Sequence, residues 1–473
     1  MNYKSVLFFL GVYTLLVSIL SILNILYSIY FDFIIDLNSY LITFIISLVL
    51  GSFFCYIGKN FSKNISLTDQ IIFIVLSFFF IPFLISLPYI FSIYNISLID
   101  SYFESISGFT TTGFSVLKNV KNIDEPLLLW RSSSQWLGGL FFLLAVIGTI
   151  GSKQIKGKPA YLVPGGASGR NFYNNFNYNF IKISLIYFFT TVFVIFLYNF
   201  IDIRLFDSFN LAFTTISSGG FIPSDNLSSI ISTKIQIFVL SITLLFPIFN
   251  FFLIHDVITR QFSFRSYQED LHLASLIILL TLIFYFFIIP NEEFPNVFFA
   301  ITSSISTSGI TTYSPNTNLS LFFILLTIIG GSLISTSSGF KYTRIYILLK
   351  ISYQEIHRFA KPINIIDKNL FNSDGKIDDQ DVKITFFVFI SFIFSIFILS
   401  SILTFDNITF ENSFKLAILT LTNTTSSTLY GTDSVGFFDL NYFTKMSLIL
   451  FMIMGKIEII TIIYLFKKFI FRQ

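Results

Sequence analysis

The chain alternates between long apolar blocks and short polar breaks. Blocks at about 6–31, 39–57, 70–94, 127–150, 180–201, 233–255, 271–290, 320–350, 384–404 and 444–466 reach or approach the roughly 20 residues that a helix needs to cross a bilayer. Strands of a membrane barrel would be shorter and would alternate in polarity. The blocks therefore predict an all-α polytopic membrane protein with about ten transmembrane helices. The first block is apolar for roughly 26 residues, longer than the ~7–15-residue core that precedes the cleavage site of a secretory leader, so it reads as a membrane helix.

Four further apolar blocks, 102–110, 206–216, 297–306 and 412–422, are too short to cross. Each runs into small polar residues. The runs are Gly108-Phe109-Thr110-Thr111-Thr112-Gly113-Phe114, Thr214-Thr215-Ile216-Ser217-Ser218-Gly219-Gly220-Phe221, Ser304-Ile305-Ser306-Thr307-Ser308-Gly309-Ile310 and Leu421-Thr422-Asn423-Thr424-Thr425-Ser426-Ser427. A half-length helix followed by such a run has the pattern of a re-entrant loop, and irregular backbone survives at membrane depth only where it lines water or protein. The same unit, helix then half-helix then polar loop then helix, recurs four times. Internal repeats define an architecture. Here they predict four helix–pore-loop–helix repeats around a pseudo-fourfold central pore: 1–60 as two accessory N-terminal helices, then repeats at 61–160, 161–262, 263–360 and 361–473.

Composition agrees. Hydrophobic residues make up 54% and charged residues 12%, against about 25% charged in a soluble domain. A net charge of +3 is too small to imply a polyanionic partner, so no nucleic acid is expected. The lone Cys55 and the scattered His255, His272 and His357 offer neither a disulfide framework nor a metal cluster. No phosphate-binding or dinucleotide fingerprint occurs, and Asn372-Ser373-Asp374-Gly375-Lys376 lacks the ligand spacing of a calcium loop. With the N-terminus inside, most of the 29 Lys and Arg fall in inner loops, chiefly around 153–182 and 341–383. Both termini are then cytoplasmic, and the four short segments lie on the outer side.

A cation crossing a membrane exchanges its water shell for oxygens, which rings of backbone carbonyls can supply. Gly tolerates the torsions that aim carbonyls inward, and half-helix C-termini favour a cation. Four such loops in matching places predict a filter, with close helix packing by small residues as the plainer alternative. Gly330-Gly331-Ser332-Leu333-Ile334-Ser335-Thr336-Ser337-Ser338-Gly339-Phe340-Lys341 interrupts a long apolar block, as a kink does. Lys456 lies inside the last block, where a charge costs ~2.5–3.5 kcal/mol and usually faces a cavity unless it snorkels to the inner surface. Glu458 is the one deep acid this pattern offers. Glu104 is read as bracing the first half-helix more than concentrating cations. Asp207 is read as an N-cap, and Trp130 and Trp136 as an interfacial belt.

Phe103-Glu104-Ser105-Ile106-Ser107-Gly108-Phe109-Thr110-Thr111-Thr112-Gly113 resembles the TrkH/KtrB superfamily of potassium uptake proteins, relatives of the plant HKT transporters. So do Arg131 through Gln135-Trp136-Leu137-Gly138-Gly139, Gly330-Gly331 with Ser337-Ser338-Gly339-Phe340-Lys341, and Met454-Gly455-Lys456-Ile457-Glu458-Ile459. The two extra N-terminal helices look like the TrkH branch. The resemblance implies the pore-forming subunit of a potassium uptake system in the bacterial cytoplasmic (inner) membrane, and no enzyme. Its K+ filter would comprise Thr111, Thr112, Gly113; Ser218, Gly219, Gly220; Thr307, Ser308, Gly309; and Asn423, Thr424, Thr425. Its gate would be a mobile loop containing Gly330, Gly331, Ser335, Thr336, Ser337, Ser338, Gly339 and Lys341, faced by Lys456. Monovalent cation would bind at the filter only, and this chain would carry no cofactor. Nucleotide would act through a cytoplasmic Rossmann-type regulatory ring of the TrkA/KtrA kind docked on 152–182 and 341–383, and the chain would form a homodimer.

One position departs from the family. Thr425 stands where the family usually has Gly, and a β-branched residue is strained at positive φ. The fourth loop must use another torsion or lend a Thr oxygen. A Ser at a filter glycine goes with Na+ preference in plant relatives, so the alternatives are a Na+-permeable or weakly selective transporter, or a Na+/H+-coupled K+ symporter. A membrane enzyme or an accessory subunit of an ion-pumping ATPase would not need four such loops.

Overall fold

The computed structural model describes residues 3–61, 67–150, 176–260, 262–264, 266–312, 319–360, 370–371, 377 and 379–457. Two helices, α1 (Tyr3–Tyr30) and α2 (Leu37–Gly58), pack along each other as an N-terminal hairpin. The first repeat follows as α3 (Leu67–Ile85) with the short α4 (Leu87–Phe91), the half-helix α5 (Leu98–Phe109) and α6 (Glu125–Ile150). The second has α7 (Phe176–Phe200), half-helix α8 (Leu205–Ser217), α9 (Lys234–Thr243) and α10 (Phe251–Ile258). The third has α11 (Gln268–Ile283), half-helix α12 (Phe294–Ile305), α13 (Ser320–Ile329) and α14 (Tyr342–Ala360). The fourth has α15 (Asp379–Thr404), half-helix α16 (Phe410–Leu421) and α17 (Tyr442–Ile457). Among the described residues the secondary structure is helical, with no strand.

Among the described residues, six stretches are long and apolar enough to cross a membrane by themselves: Tyr3–Tyr30, Leu37–Gly58, Asp69–Phe91, Ile181–Phe200, Gln268–Ile288 and Asp381–Thr404. Their apolar residues face two ways. On α7, Ile183, Tyr187, Val194 and Tyr198 are buried, whereas Phe189, Phe196 and Phe200 are exposed. A helix apolar all round has lipid on the side that protein leaves open.

The half-helices carry the architecture. Each has 12 or 13 residues, about 18–20 Å at 1.5 Å per residue, which is little more than half the ~30 Å hydrocarbon core. Ser97 caps α5 by accepting the Asp100 N–H, and Pro295 supplies a pre-set φ in the first turn of α12. The closing helix of each repeat packs on the half-helix of the next: α6 on α8, α9 on α12, α13 on α16, and α17 back on α5. The last contact closes a ring of four repeats around one axis, in which loop four lies opposite loop two.

Four expectations need correction. The block 233–255 is not one helix: α9 ends at Thr243, turns run through Pro247, and α10 restarts after Asn250. Proline lacks the N–H that a continuing helix needs, and the Asn250 side chain accepts the Phe252 N–H to cap the restart. Asp207 lies inside the first turn of α8, whose N-cap residue is Arg204. Trp130 belongs to the core: it is 1% exposed, and its indole N–H donates to Ile85 O. Trp136 is partly buried and donates to the Thr191 hydroxyl. Finally, Glu458 lies outside the described residues, and Glu269 and Asp270 at the start of α11 are acids buried in the protein that the sequence pattern placed in a loop.

Candidate functional site

The four polar loops turn in the same way. One non-glycine residue in each takes the left-handed conformation: Thr111 (φ 59°), Ser218 (57°), Thr307 (62°) and Asn423 (48°). Non-glycine residues there cost about 1–3 kcal/mol each and persist only where the surroundings hold them. Here their N–H groups donate back into the half-helices, to the carbonyls of Gly108, Thr215, Ser304 and Thr420 at 2.9–3.2 Å. The next N–H does likewise in three loops, Thr112 to Ser107, Gly219 to Thr214 and Thr424 to Leu419, at 2.8–2.9 Å. In a planar trans peptide the carbonyl points opposite to its N–H. Backbone whose N–H groups turn toward the half-helix therefore turns its oxygens away from it. Hydroxyl pairs brace three of the turns: Thr110 with Thr112 (2.7 Å), Ser306 with Ser308 (3.1 Å) and Thr422 with Thr424 (3.0 Å).

The expected filter positions converge. Gly113, Gly220, Gly309 and Thr425 line a single open cavity of about 310 Å³. Torsions alternate around the ring: Gly113 (φ 85°) and Gly309 (68°) are left-handed, whereas Gly220 and Thr425 are not. The strain feared at Thr425 is thus absent, because loop four uses another torsion. Its side chain nevertheless reaches across the axis. A Cβ on Gly220, in the opposite loop, would lie 2.3 Å from the Thr425 Cβ, and those on Gly113 and Gly309 would lie 2.9 Å from its side chain. The hydroxyl donates to Gly113 O at 2.8 Å. Thr425 occupies the space that three glycines leave, and it engages one carbonyl of the ring.

The interrupted block 330–341 lies against the inner side of these loops. Gly330 (φ 63°) turns the chain where a Cβ would be 2.3 Å from Ser338 O. The Lys341 ammonium gathers the loop by donating to the carbonyls of Ser332 (3.2 Å), Ser335 (3.2 Å) and Ser337 (2.7 Å). The loop bonds to the polar turns directly. The Thr336 hydroxyl donates to Ile216 O, the Ser218 hydroxyl donates to Thr336 O, and the Ser338 N–H donates to the Thr307 hydroxyl, at 2.9–3.0 Å. Lys456, 1% exposed, completes the contact by donating to the Thr111 hydroxyl (2.6 Å), the Ser338 hydroxyl (2.9 Å) and Thr336 O (3.3 Å), with its ammonium 4.5 Å from the Phe142 ring centroid. Snorkelling is excluded by these partners: a buried cation faces the first polar turn and the interrupting loop together.

Glu104 is a brace. Its oxygens accept from Arg131 Nε (2.9 Å), the Ser115 hydroxyl (3.0 Å) and the Val116 N–H (2.9 Å), fixing the chain just after the first polar turn. Arg131 in turn stacks 4.2 Å over Phe221, just after the second. Both charges are at most 3% exposed. Glu104→Ala strands the guanidinium, and breaking such a pair costs about 3–5 kcal/mol. The expected result is a clear fall in the thermal midpoint of the detergent-solubilised protein. An unchanged midpoint would remove the brace.

Sequence reasoning missed three things here. Gln135, fully buried, accepts the Phe221 N–H at 3.2 Å and holds loop two. Its place within the matched Arg131–Gly139 segment was the available signal. Asp225 and Asp433 stand exposed at the mouth of the outer cavity, which no local pattern announced. Acids at a mouth raise the local cation concentration, and salt screens the effect. Converting both to Asn is expected to lower cation uptake about two- to threefold at low ionic strength and to leave it unchanged near 1 M salt, where the Debye length is ~3 Å. Equal loss at both salt levels would rule out steering. The pair Glu269 and Asp270 is treated below.

The fold and the site define a class: a helical membrane protein in which four re-entrant hairpins ring one axis beneath an outer mouth. Comparison with known proteins is specific. Residues 288–471 match the family model described as TrkH, cation transport protein. The chain is 25% identical over 447 residues to the Trk system potassium uptake protein TrkH of Salmonella typhimurium, covering 91% of this chain and 92% of that one. It is 26% identical over 380 residues to an uncharacterized cation transporter of Methanocaldococcus jannaschii, covering 78% and 77%. The crystal structure of the potassium transporter TrkH from Vibrio parahaemolyticus superimposes with a TM-score of 0.85 over 98% of both chains at 22% identity. By family model and relatives the chain is similar to TrkH-type cation transport proteins, and the superposition shows that it shares their fold.

Proposed function

We propose that the chain is the pore-forming subunit of a potassium uptake system in the bacterial cytoplasmic membrane. The observation that carries this reading is the ring of four left-handed turns, Thr111, Ser218, Thr307 and Asn423, set between an outer mouth and the 330–341 loop. Carbonyls of 111–113, 218–220, 307–309 and 423–425 replace the hydration shell of K+. The four half-helix C-termini favour the bare cation, and the membrane potential drives it inward with about 2.3 kcal/mol per charge per 100 mV. K+ is cargo, and the chain needs no cofactor of its own for this. The 330–341 loop with Lys456 is the gate. A cytoplasmic ring of Rossmann-type subunits, docked near 152–182 and 341–383, opens it in response to nucleotide, and two copies of the chain assemble as a dimer.

A second reading has one observation in its favour. Thr425 stands among three glycines and donates to one of their carbonyls, which weakens a K+-sized cage and favours Na+ permeation. Rescue of a K+-uptake-deficient bacterial strain on low K+, with Rb+ and Na+ influx measured in parallel, separates the two. Growth with Rb+ influx well above Na+ is expected. Na+ influx equal to or above Rb+ would select the second reading. No flux, with the protein in the membrane and its regulator co-expressed, would overturn both.

A further inference from the structure

The break in the second repeat and the gate loop are built into each other. The helix interruption at 244–250 frees backbone groups that, in the membrane, must find partners. The gate loop supplies them. The Ser332 N–H donates to Ile248 O (2.8 Å), the Ser337 N–H to Pro247 O (3.1 Å), and the Phe251 N–H to Ile334 O (3.1 Å). The two irregular segments thus share one set of hydrogen bonds, although more than 80 residues separate them in sequence.

Glu269 and Asp270, adjacent at the start of α11, hold this joint from the side. Asp270 Oδ1 accepts the Asn250 N–H at 2.9 Å, on the broken-helix strip. Glu269 Oε2 accepts the Leu333 N–H at 3.4 Å, on the gate strip, and Oε1 accepts the Thr343 hydroxyl at 2.5 Å, where α14 leaves the gate. The carboxylates are 6% and 4% exposed. No filter or gate role drawn from the sequence uses them. Just before them, the connection from α10 is pinned by the Tyr267 hydroxyl, which donates to Asp256 (2.6 Å), itself paired with the His255 ring (2.8 Å).

We infer that Glu269 and Asp270 are positioning residues of the gate, a latch that ties the 330–341 loop to the α10–α11 elbow, so that displacing the elbow releases the loop. This rests on the gate reading above and names the route by which the gate is controlled. Each carboxyl oxygen used here accepts: Asp270 Oδ1 from one N–H, and the two Glu269 oxygens from an N–H and a hydroxyl. An amide could still accept from Asn250 or Leu333 and donate to the Thr343 hydroxyl, so the latch is broken by removing the acceptors: Glu269→Met and Asp270→Leu do so at similar volume.

The test uses the full-length chain in proteoliposomes with Cys55 replaced by Ser and a single reporter, Thr336→Cys, in the gate loop. The reaction rate of that thiol with a small charged thiosulfonate reports loop release, and Rb+ influx reports transport. In Glu269→Met and Asp270→Leu backgrounds the expected result is thiol modification at least about fivefold faster, with raised basal Rb+ influx and an unchanged thermal midpoint. A merely structural role would instead lower the midpoint and the flux together, and that outcome overturns the latch, as does an unchanged modification rate. If the carboxylate variants do not reach the membrane, Thr343→Val removes one arm of the latch and is read by the same criteria. Failure of the transport reading shows as no Rb+ influx in the parent chain, while the thiol rate still decides the latch.

Discussion

Thr425→Gly is expected to raise Rb+ influx about three- to tenfold and to lower the Na+ share of the flux. The argument starts from the crossing of the axis. Thr425 approaches the glycine of the opposite loop, Gly220, as well as both neighbours, so its side chain narrows the passage where the other three loops leave it open. Its hydroxyl also holds Gly113 O at 2.8 Å, and a net hydrogen bond is worth about 0.5–1.5 kcal/mol. Releasing that oxygen to a cation corresponds to a factor of about ten at the upper end, since 1.4 kcal/mol is tenfold. Thr425→Val separates bulk from hydrogen bond: it keeps the shape and drops the hydroxyl. Flux that stays low in Val and rises in Gly assigns the constriction to volume. Flux that rises in both assigns it to the captured carbonyl. Flux lost in Gly, with the protein folded, would mean that Thr425 holds the four loops together.

The second large effect belongs to Lys456. Lys456→Gln is expected to raise inward cation flux at least about tenfold and to make the host sensitive to high external Na+. A unit charge about 4 Å from a cation costs ~4 kcal/mol at an effective dielectric constant of ~20. Lys456 touches the Thr111 hydroxyl at 2.6 Å, so a cation leaving the first filter turn passes it at short range. Gln retains a donor for Thr111 or Ser338 but removes the charge, so electrostatic barrier and loop anchor are tested apart. Lys456→Arg, which keeps the charge, should stay near the parent flux. Reduced uptake in Gln with normal membrane levels would make the ammonium an anchor and not a barrier.

The order of helices and half-helices was legible along the chain because lipid imposes a length rule on every crossing segment and four loops repeat one composition. The positions 113, 220, 309 and 425 were legible for the same reason, as was the interruption at 330–341, whose glycines and serines stand against an apolar background. The break at 244–250 was not, since Phe246-Pro247-Ile248 keeps the block hydrophobic and a single proline often only kinks a helix. What ends α9 there is a distant partner, the backbone of 332–337. Glu269 and Asp270 read as loop acids for a similar reason: their burial follows from that joint and not from their neighbours in sequence.

The sequence by itself determined that this is a membrane-embedded, all-helical chain with four pore-loop repeats, because hydrophobic length and internal repetition are properties of the chain taken one residue after another. Tertiary structure alone decided that the ring closes from α17 back to α5, that Thr425 reaches the glycine opposite, that Lys456 meets both the first polar turn and the 330–341 loop, and that two acidic side chains bond to that loop and to the broken helix. Each of these depends on groups brought together from different repeats, where unsatisfied backbone and buried charge must find partners in the absence of water.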